Sequence, residues 1–289
     1  MTDAPMKAET PLRIRVGDVT LNVQVAGEGE PVLLLHGFPD SLTVWRDVTP
    51  QLVAAGYRVI AFDQRGFGES DAPAGVANYR IDAIVADIPR LLAALGIAGP
   101  VHVIGHDWGA VIGWCLALAH PARVRDLVAI SVGHPQAYGR AGFAQKIGKG
   151  LYVLGFQFRG LAEAWFLRNR GHGLRNWLAA GHPDHDAVVR DMSRPGRLTA
   201  GMNWYRANLM GVLFGAWPRC AVPTLGMWSS GDRYLTEAQM RDSGKLVDAA
   251  WEYRRIDDCG HWIPLQRPEA VAAAALDWFG RHPLATAAI

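Results

Sequence analysis

The spacing of apolar residues predicts that the chain begins with β-strands. Apolar and polar residues alternate over Leu12–Val16 and Val19–Val25, and the turn residues Gly17-Asp18 between them indicate a hairpin. Pro31–Leu35 and Tyr57–Phe62 are instead continuous apolar runs, which are typical of strands buried on both faces. The sheet is therefore expected to begin antiparallel and to continue with buried strands.

Helical stretches separate these strands. Apolar residues recur with helical spacing from about Leu42 to Ala55 and from about Ile81 to Leu95, where Pro89 predicts a kink or an early break. A further helix is expected over Val111–Ala119, and the next strand over Leu127–Val132. This alternation predicts an α/β fold, with a mostly parallel sheet and helices on both faces.

The alternation stops at residue 134, and the pattern is helical and rich in aromatic residues until about residue 220. Strand patterns return at Pro223–Trp228 and Trp251–Ile256, and a last helix is expected over Pro268–Phe279. An insertion after a strand lies over the carboxyl edge of an open sheet, where ligands bind. The predicted organisation is a core domain of residues 1–133 and 221–289 and a helical cap of residues 134–220.

Composition narrows the class of protein. The chain has 289 residues, half of them hydrophobic, which is enough for a sizeable core, and a net charge of +2. Its scattered arginines form no run that would suggest nucleic acid binding, and no apolar stretch is long enough to span a membrane. The three cysteines are too few for a disulfide framework, and the first ten residues lack a signal-peptide core. We therefore expect a cytoplasmic protein with neither a membrane nor a nucleic acid partner.

The most informative stretch joins the predicted strand at Val101 to the helix at Val111. It reads Gly-His-Asp-Trp-Gly, with Asp107 at the centre of a Gly-x-nucleophile-x-Gly frame that places a reactive side chain on a sharp turn. A carboxylate that attacks a saturated carbon bearing a leaving group forms an ester, which water can hydrolyse. The alternative is a tight turn in which Asp107 caps a helix and Trp108 is a core residue.

Two later residues are candidates to assist such a nucleophile. His261 follows the predicted strand Trp251–Ile256 and is the candidate base for activating water. Asp232 follows the preceding strand and is the candidate acid that orients His261. The order nucleophile, acid, histidine is that of hydrolases with a nucleophile elbow. The alternatives are a solvated loop histidine and a turn aspartate after glycine.

Two backbone N–H groups are candidates for stabilising an oxyanion. Trp108 directly follows the nucleophile, and Phe38 lies in the loop after the predicted strand Pro31–Leu35. Pro39 has no N–H to donate, which leaves Phe38 as the candidate in that loop. The alternative interpretation of this loop is a plain turn.

Five segments in this order resemble the α/β-hydrolase superfamily and, within it, the epoxide hydrolase family. They cover most of the predicted core domain and are His36–Asp40, Trp45-Arg46, Asp63–Pro73, Gly105–Ala110 and Cys259–Trp262. The resemblance implies an α/β-hydrolase fold with a cap, and two cap tyrosines that donate to the epoxide oxygen.

The first of these tyrosines is Tyr205, in the motif Asn-Trp-Tyr-Arg. The second is Tyr152, which precedes Phe156–Gly160 at the expected spacing, although Arg159 stands where the family has proline. The alternative for both tyrosines is packing within the cap.

The sequence therefore predicts hydrolysis of an apolar or aromatic epoxide to a diol. In this hypothesis Asp107 attacks a ring carbon, Tyr152 and Tyr205 hold and protonate the oxygen, and His261 with Asp232 activates water. Phe38, Trp108 and the two tyrosines contact the substrate. No metal or cofactor is expected for this mechanism. His182 and His185 have ligand-like spacing, but no further ligand cluster lies nearby and a proline stands between them, so they predict only a polar cap loop. The sequence does not determine the oligomeric state, and a homodimer is one possibility.

Two other functions remain open. A haloalkane or haloacid dehalogenase uses the same Asp-His-Asp set with halide-binding donors, often tryptophan, and Trp108 is compatible with it. The fluoroacetate branch resembles the chain less, because it has arginine directly after the nucleophile. A non-catalytic binding protein on a hydrolase scaffold usually lacks part of the triad, whereas all three candidates are present here.

Overall fold

The computed structural model describes residues 11–141 and 152–282, and one eight-stranded sheet runs through them. The strands are β1 Leu12–Val16, β2 Val19–Ala26, β3 Glu30–Leu35, β4 Tyr57–Phe62, β5 Val101–His106, β6 Val124–Ile130, β7 Thr224–Ser229 and β8 Trp251–Ile256. Their order in the sheet is β1-β2-β4-β3-β5-β6-β7-β8. The β1–β2 and β2–β4 pairs are antiparallel and all other pairs are parallel, so the expected α/β class with an antiparallel start is confirmed.

Eleven α-helices accompany the sheet within the described residues. They are α1 Thr49–Ala54, α2 Ile81–Ala94, α3 Trp108–Ala119, α4 Pro135–Arg140, α5 Tyr152–Gly155, α6 Leu161–Gly173, α7 His185–Met192, α8 Arg197–Phe214, α9 Glu237–Ser243, α10 Ile263–Gln266 and α11 Pro268–Arg281. None of the helices in residues 11–141 and 152–282 combines the length and apolar character that crossing a bilayer requires.

The central strands of the sheet are buried on both faces, as the apolar runs predict. In β3, Val32 and Leu34 share one buried cluster with residues of α1 and α11. Leu33 and Leu35 face the other way and join a second cluster with residues of α2 and α3. Because successive side chains of a strand point to opposite faces, a continuous apolar run fits helices on both sides.

Two helix predictions need correction. The helix expected from Leu42 to Ala55 is a 3₁₀ turn, Leu42–Trp45, followed by the separate helix α1. Pro50 lies in the first turn of α1, where a residue without an N–H is tolerated. Helix α2 continues past Pro89 to Ala94, so the early break is wrong. Its buried residues on both sides of the proline, such as Ile88 and Leu91, hold the helix against the core despite the missing donor.

Five helices, α4 to α8, lie between β6 and β7 in the described part of the chain. The indole Nε1 of Trp204 in α8 donates to the carbonyl of Arg65, 3.1 Å away, and the Tyr205 ring lies 5.5 Å from the Phe38 ring. Phe38 and Arg65 belong to the loops after β3 and β4, so these helices cover the carboxyl ends of the strands. The boundaries of the cap, residues 134–220, stay a prediction.

Candidate active site

Asp107 lies on a strained turn between β5 and α3. Its backbone has φ 54° and ψ −122°, which side chains other than glycine rarely adopt. A Cβ on Gly109 would lie 1.9 Å from the carbonyl oxygen of Leu35, and one on Gly105 would lie 2.4 Å from the carbonyl oxygen of Gly109. Only glycines allow strand and helix to approach this closely. The turn therefore has the geometry of a nucleophile elbow.

The helix-capping alternative for Asp107 does not hold. Helix α3 begins at Trp108, three residues before the predicted start, yet the Asp107 side chain makes no capping hydrogen bond to it. Its carboxylate points the other way, and Oδ1 accepts a hydrogen bond from the N–H of Phe38 at 2.8 Å. A Cβ at Gly37 would collide with this carboxylate at 2.4 Å, so the loop after β3 also needs a glycine.

The two candidate oxyanion donors flank Asp107. The N–H of Phe38 already contacts its carboxylate, as described above. The N–H of Trp108 is the first of α3, and the first N–H groups of a helix have no acceptor within that helix. The N–H of Phe38 therefore lies where it can stabilise negative charge on the carboxylate oxygen or on an oxyanion derived from it, and the N–H of Trp108 opens the helix that begins directly after Asp107.

His261 connects Asp107 to Asp232. Its Nε2 lies 3.6 Å from Oδ2 of Asp107, and its Nδ1 lies 2.9 Å from Oδ2 of Asp232. The other oxygen of Asp232 accepts from the N–H groups of Tyr234 at 2.8 Å and Leu235 at 3.0 Å. Both carboxylates and the imidazole are buried. The structure thus brings together the three residues that the sequence proposes as nucleophile, acid and base.

The charges of the two carboxylates control the protonation of His261. Burial by itself lowers the pKa of His261, but the charges of and hydrogen bonds to Asp232 and Asp107 outweigh burial and raise it to about 10. Burial likewise favours neutral Asp232, but the charge and hydrogen bond of His261 and the two N–H donors hold the pKa of Asp232 below its usual value. In this state His261 is an imidazolium between two carboxylates.

Two cap tyrosines face Asp107. The rings of Tyr152 and Tyr205 lie 6.2 Å apart, and their hydroxyls are within hydrogen-bonding reach of each other. Burial and the charge of Asp107 raise the pKa of both hydroxyls well above the usual value, and for Tyr205 the proximity of Tyr152 raises it further. Both therefore keep their protons and can donate them. The Trp108 side chain is within hydrogen-bonding reach of the Tyr205 hydroxyl, so its indole is already engaged.

Two cavities meet at Asp107. The larger has about 630 Å³ of space not filled by atoms, and the smaller about 250 Å³. Both are lined by Asp107, Tyr152, Tyr205 and Tyr234. His261 lines the smaller cavity. A small molecule in the larger cavity can therefore lie against Asp107, Tyr152 and Tyr205 together.

Tyr234 is a site residue that the sequence analysis does not single out. Its ring lies 5.0 Å from that of His261, and its hydroxyl donates to the backbone carbonyls of Trp177 at 3.1 Å and Leu178 at 3.2 Å. It thus joins the loop of Asp232 to the helical insertion. Its position two residues after the candidate acid is the only sequence signal for it.

The predicted polar cap loop is more closely tied to the core than its composition indicates. His182 is buried, and its Nε2 lies 2.8 Å from Oδ1 of Asp40. The other oxygen of Asp40 accepts from the indole of Trp262 at 3.1 Å, next to His261. Within residues 11–141 and 152–282, no group of three or more His, Cys, Asp or Glu side chains is arranged to hold a metal ion.

Comparison with known proteins identifies the family. The sequence model of the alpha/beta hydrolase fold family matches residues 30–268. A superfamily member from Bacillus subtilis, the AB hydrolase superfamily protein YfhM, is 34% identical over 92% of this chain and 96% of its own. Epoxide hydrolase A of Mycobacterium tuberculosis is 32% identical over 94% of this chain and 98% of its own.

A solved structure agrees with these sequence comparisons. The crystal structure of epoxide hydrolase A from Mycobacterium thermoresistibile superposes with a TM-score of 0.77 at 29% identity, over 94% of this chain and 98% of that chain. The chain therefore belongs to the alpha/beta hydrolase fold family and, within it, to the epoxide hydrolases.

Proposed function

We propose that this chain opens epoxides to vicinal diols through a covalent ester on Asp107. The observation that carries the proposal is a carboxylate on a nucleophile elbow that faces two protonated tyrosine hydroxyls across an apolar cavity. An epoxide needs a nucleophile on one side and a proton donor for its oxygen on the other. Relatives named epoxide hydrolases, similar over nearly the whole chain, support the same activity.

In the first step, the free carboxylate oxygen of Asp107 attacks a ring carbon and the bond from that carbon to the epoxide oxygen breaks. Oδ1 is held by the N–H of Phe38, which leaves Oδ2 to attack. Tyr152 and Tyr205 stabilise the charge that develops on the departing oxygen and supply its proton. Since a neutral phenol donates from an apolar site without a counter-charge, burial of both hydroxyls suits this role.

In the second step, water attacks the carbonyl carbon of the ester. His261 takes a proton from that water, and Asp232 holds the imidazole and stabilises its charge. The N–H groups of Phe38 and Trp108 stabilise the tetrahedral oxyanion. Cleavage of the acyl C–O bond releases the diol, whose leaving oxygen takes the second proton of that water, and restores the Asp107 carboxylate beside protonated His261.

The pKa of His261 gives the two steps their order. While Asp107 is charged, it helps to hold the pKa of His261 at about 10, so the imidazole carries a proton and cannot act as a base at neutral pH. Ester formation removes the charge of Asp107 and lowers the pKa of His261. The proton that His261 then loses balances the one that the epoxide oxygen gains. Loss of the Asp107 charge therefore makes His261 a more available base at the stage when there is an ester to hydrolyse.

A product assay on the purified protein tests the function. Styrene-type and aliphatic epoxides are offered beside chloroalkanes, bromoalkanes and fluoroacetate, and diol is scored against released halide. We expect diol without halide, and Asp107→Ala should abolish diol formation while the protein stays folded. Halide without diol would favour a dehalogenase, and ligand binding without turnover would favour a binding protein.

The type of substrate, the cellular compartment and the oligomeric state are part of the same proposal. The apolar lining of the larger cavity supports an apolar or aromatic epoxide as the substrate. All three cysteines are free, which fits a reducing compartment such as the cytoplasm. A homodimer remains a proposal, which sedimentation of the purified protein tests.

A further inference from the structure

The two cavities that meet at Asp107 differ in size and in the residues that line them. The larger is lined, apart from Asp107 and tyrosine hydroxyls, by apolar side chains such as Val132, Leu209 and Val212. The smaller is lined by Phe38, Leu178, His261 and Trp262, besides the shared residues. A substrate with its reacting carbon at Asp107 therefore has unequal space on its two sides.

One face of α8 forms a wall of the larger cavity. Tyr205, Leu209 and Val212 are four and seven residues apart, so they project from the same side of the helix and all three line the cavity. Seven residues of helix extend about 10 Å. An apolar group attached to the epoxide can thus lie along α8 while Tyr205 holds the ring oxygen.

The smaller cavity has a second task in the proposed mechanism. It is the cavity that His261 lines, and the water that His261 activates must stand beside its Nε2. At about 250 Å³ of space not filled by atoms, it is well under half the size of its neighbour. A large substituent there would take the place of the water or push against Leu178 and Trp262.

We infer that this chain selects epoxides with one bulky apolar substituent, which lies along α8, and with the other ring carbon unsubstituted or bearing only a small group. This inference rests on the proposed function and adds the substrate class. The smaller cavity is reserved for the water and for a small group. Leu209 and Val212 set the size limit of the bulky group, and Leu178 sets the limit on the other side.

Initial rates on a set of epoxides test the selection. The set contains a small terminal epoxide (propylene oxide), a bulky terminal epoxide (styrene oxide) and a trans-disubstituted epoxide with a phenyl group on each carbon. We expect kcat/KM for styrene oxide to exceed that for each of the other two at least about tenfold. Equal kcat/KM for styrene oxide and the diphenyl epoxide would overturn the inference but leave the function standing. Absence of diol from all three would instead refute the proposed function.

A pair of variants on α8 tests the wall. Leu209→Trp fills the larger cavity, and Met210→Trp, one residue further, adds the same ring to an exposed position that lines neither cavity. We expect L209W to lower kcat/KM for styrene oxide at least about tenfold and for propylene oxide less than about threefold. M210W should leave both values unchanged. Equal losses on both substrates in L209W, with its melting temperature unchanged, would contradict the role of this wall.

A third variant tests the smaller cavity without adding bulk. Leu178→Ala enlarges it, and the backbone carbonyl that accepts from Tyr234 remains. We expect the ratio of kcat/KM for the diphenyl epoxide to that for styrene oxide to rise at least about fivefold. An unchanged ratio in a folded L178A protein would overturn the assignment of the size limit to this cavity.

Discussion

Replacing Asp232 by asparagine should trap the enzyme as its ester. One oxygen of Asp232 accepts from the N–H groups of Tyr234 at 2.8 Å and Leu235 at 3.0 Å, and the other faces Nδ1 of His261 at 2.9 Å. In D232N the amide oxygen is expected to stay with the N–H groups of Tyr234 and Leu235, because an NH₂ group cannot accept their hydrogen bonds. The NH₂ group then faces Nδ1, which must accept. The imidazole proton is forced onto Nε2, the atom that has to take a proton from water.

The size of the effect follows from this change of tautomer. Loss of a charge-assisted hydrogen bond costs about 1.5–3 kcal/mol, and in a serine-protease triad the same exchange, which also imposes the wrong tautomer, lowers kcat about 10⁴-fold. We expect the hydrolysis step of D232N to slow on the order of 10³- to 10⁴-fold, or about 4–5.5 kcal/mol. Ring opening should slow about tenfold at most, since Asp107 and the cap tyrosines are unaltered.

Rapid-quench kinetics with intact-protein mass spectrometry measure both steps. With excess styrene oxide, D232N should gain the mass of one substrate molecule and release diol only slowly. Asp258→Asn is the matched control, because the same exchange is made on an exposed residue three positions before His261 and should change neither rate. Turnover of D232N at the wild-type rate, or a slow ring opening without accumulated ester, would refute the reasoning.

Three further results are expected. Tyr205→Phe and Tyr152→Phe should each slow ring opening on the order of 10²-fold in rapid-quench experiments, because each removes one donor to the epoxide oxygen. Asp107→Asn, which is neutral like the ester, should lower the pKa of His261 below about 10 in an NMR titration. Since that folded pKa exceeds the unfolded value of 6.5, the wild type loses stability as pH rises from 6.5 through 10, and D107N should lose less in chemical denaturation. Gly109→Ala should cost about 3 kcal/mol in the free energy of unfolding, because its Cβ overlaps a backbone carbonyl.

Each of these results has a control or a contradicting outcome. Gly211→Ala adds the same methyl to α8, where no atom lies within 4 Å, and should not destabilise the protein. Full ring-opening rates in the double variant Y152F/Y205F would remove both tyrosines from the mechanism. An unchanged pKa of His261 in D107N would mean that the charge of Asp107 does not control the base.

Local sequence signals predict the elbow well, because its geometry depends on neighbours in the chain. Gly105 and Gly109 lie two residues before and two residues after Asp107 in the sequence. Both must be glycine, because a Cβ at either position would overlap the backbone where β5 approaches α3. Strand β4 likewise matches its predicted bounds, since a mostly apolar run marks it directly, and β8 matches its predicted bounds as well. The antiparallel start follows from the turn residues between β1 and β2 in the same way.

Contacts between segments that are distant in the chain cannot be predicted from such local signals. His182 and Asp40 are far apart in the chain, and nothing in either segment indicates that they form a buried pair. Tyr234 reaches the backbone of Leu178 only because the helical insertion folds back over the loop after β7. At Pro89 a local rule gives a wrong prediction. A proline inside a helix predicts a break, but the packing of α2 against the core keeps the helix continuous.

One measurement tests the central claim, the covalent role of Asp107, most directly. A single turnover is run in H₂¹⁸O with enzyme in excess over epoxide, and the diol and the peptide that contains Asp107 are analysed by mass spectrometry. If Asp107 supplies the attacking oxygen, the first diol carries no label and ¹⁸O appears in the carboxylate of Asp107. A diol that carries ¹⁸O from the first turnover, with an unlabelled peptide, would mean that water attacks the epoxide itself and would contradict the account.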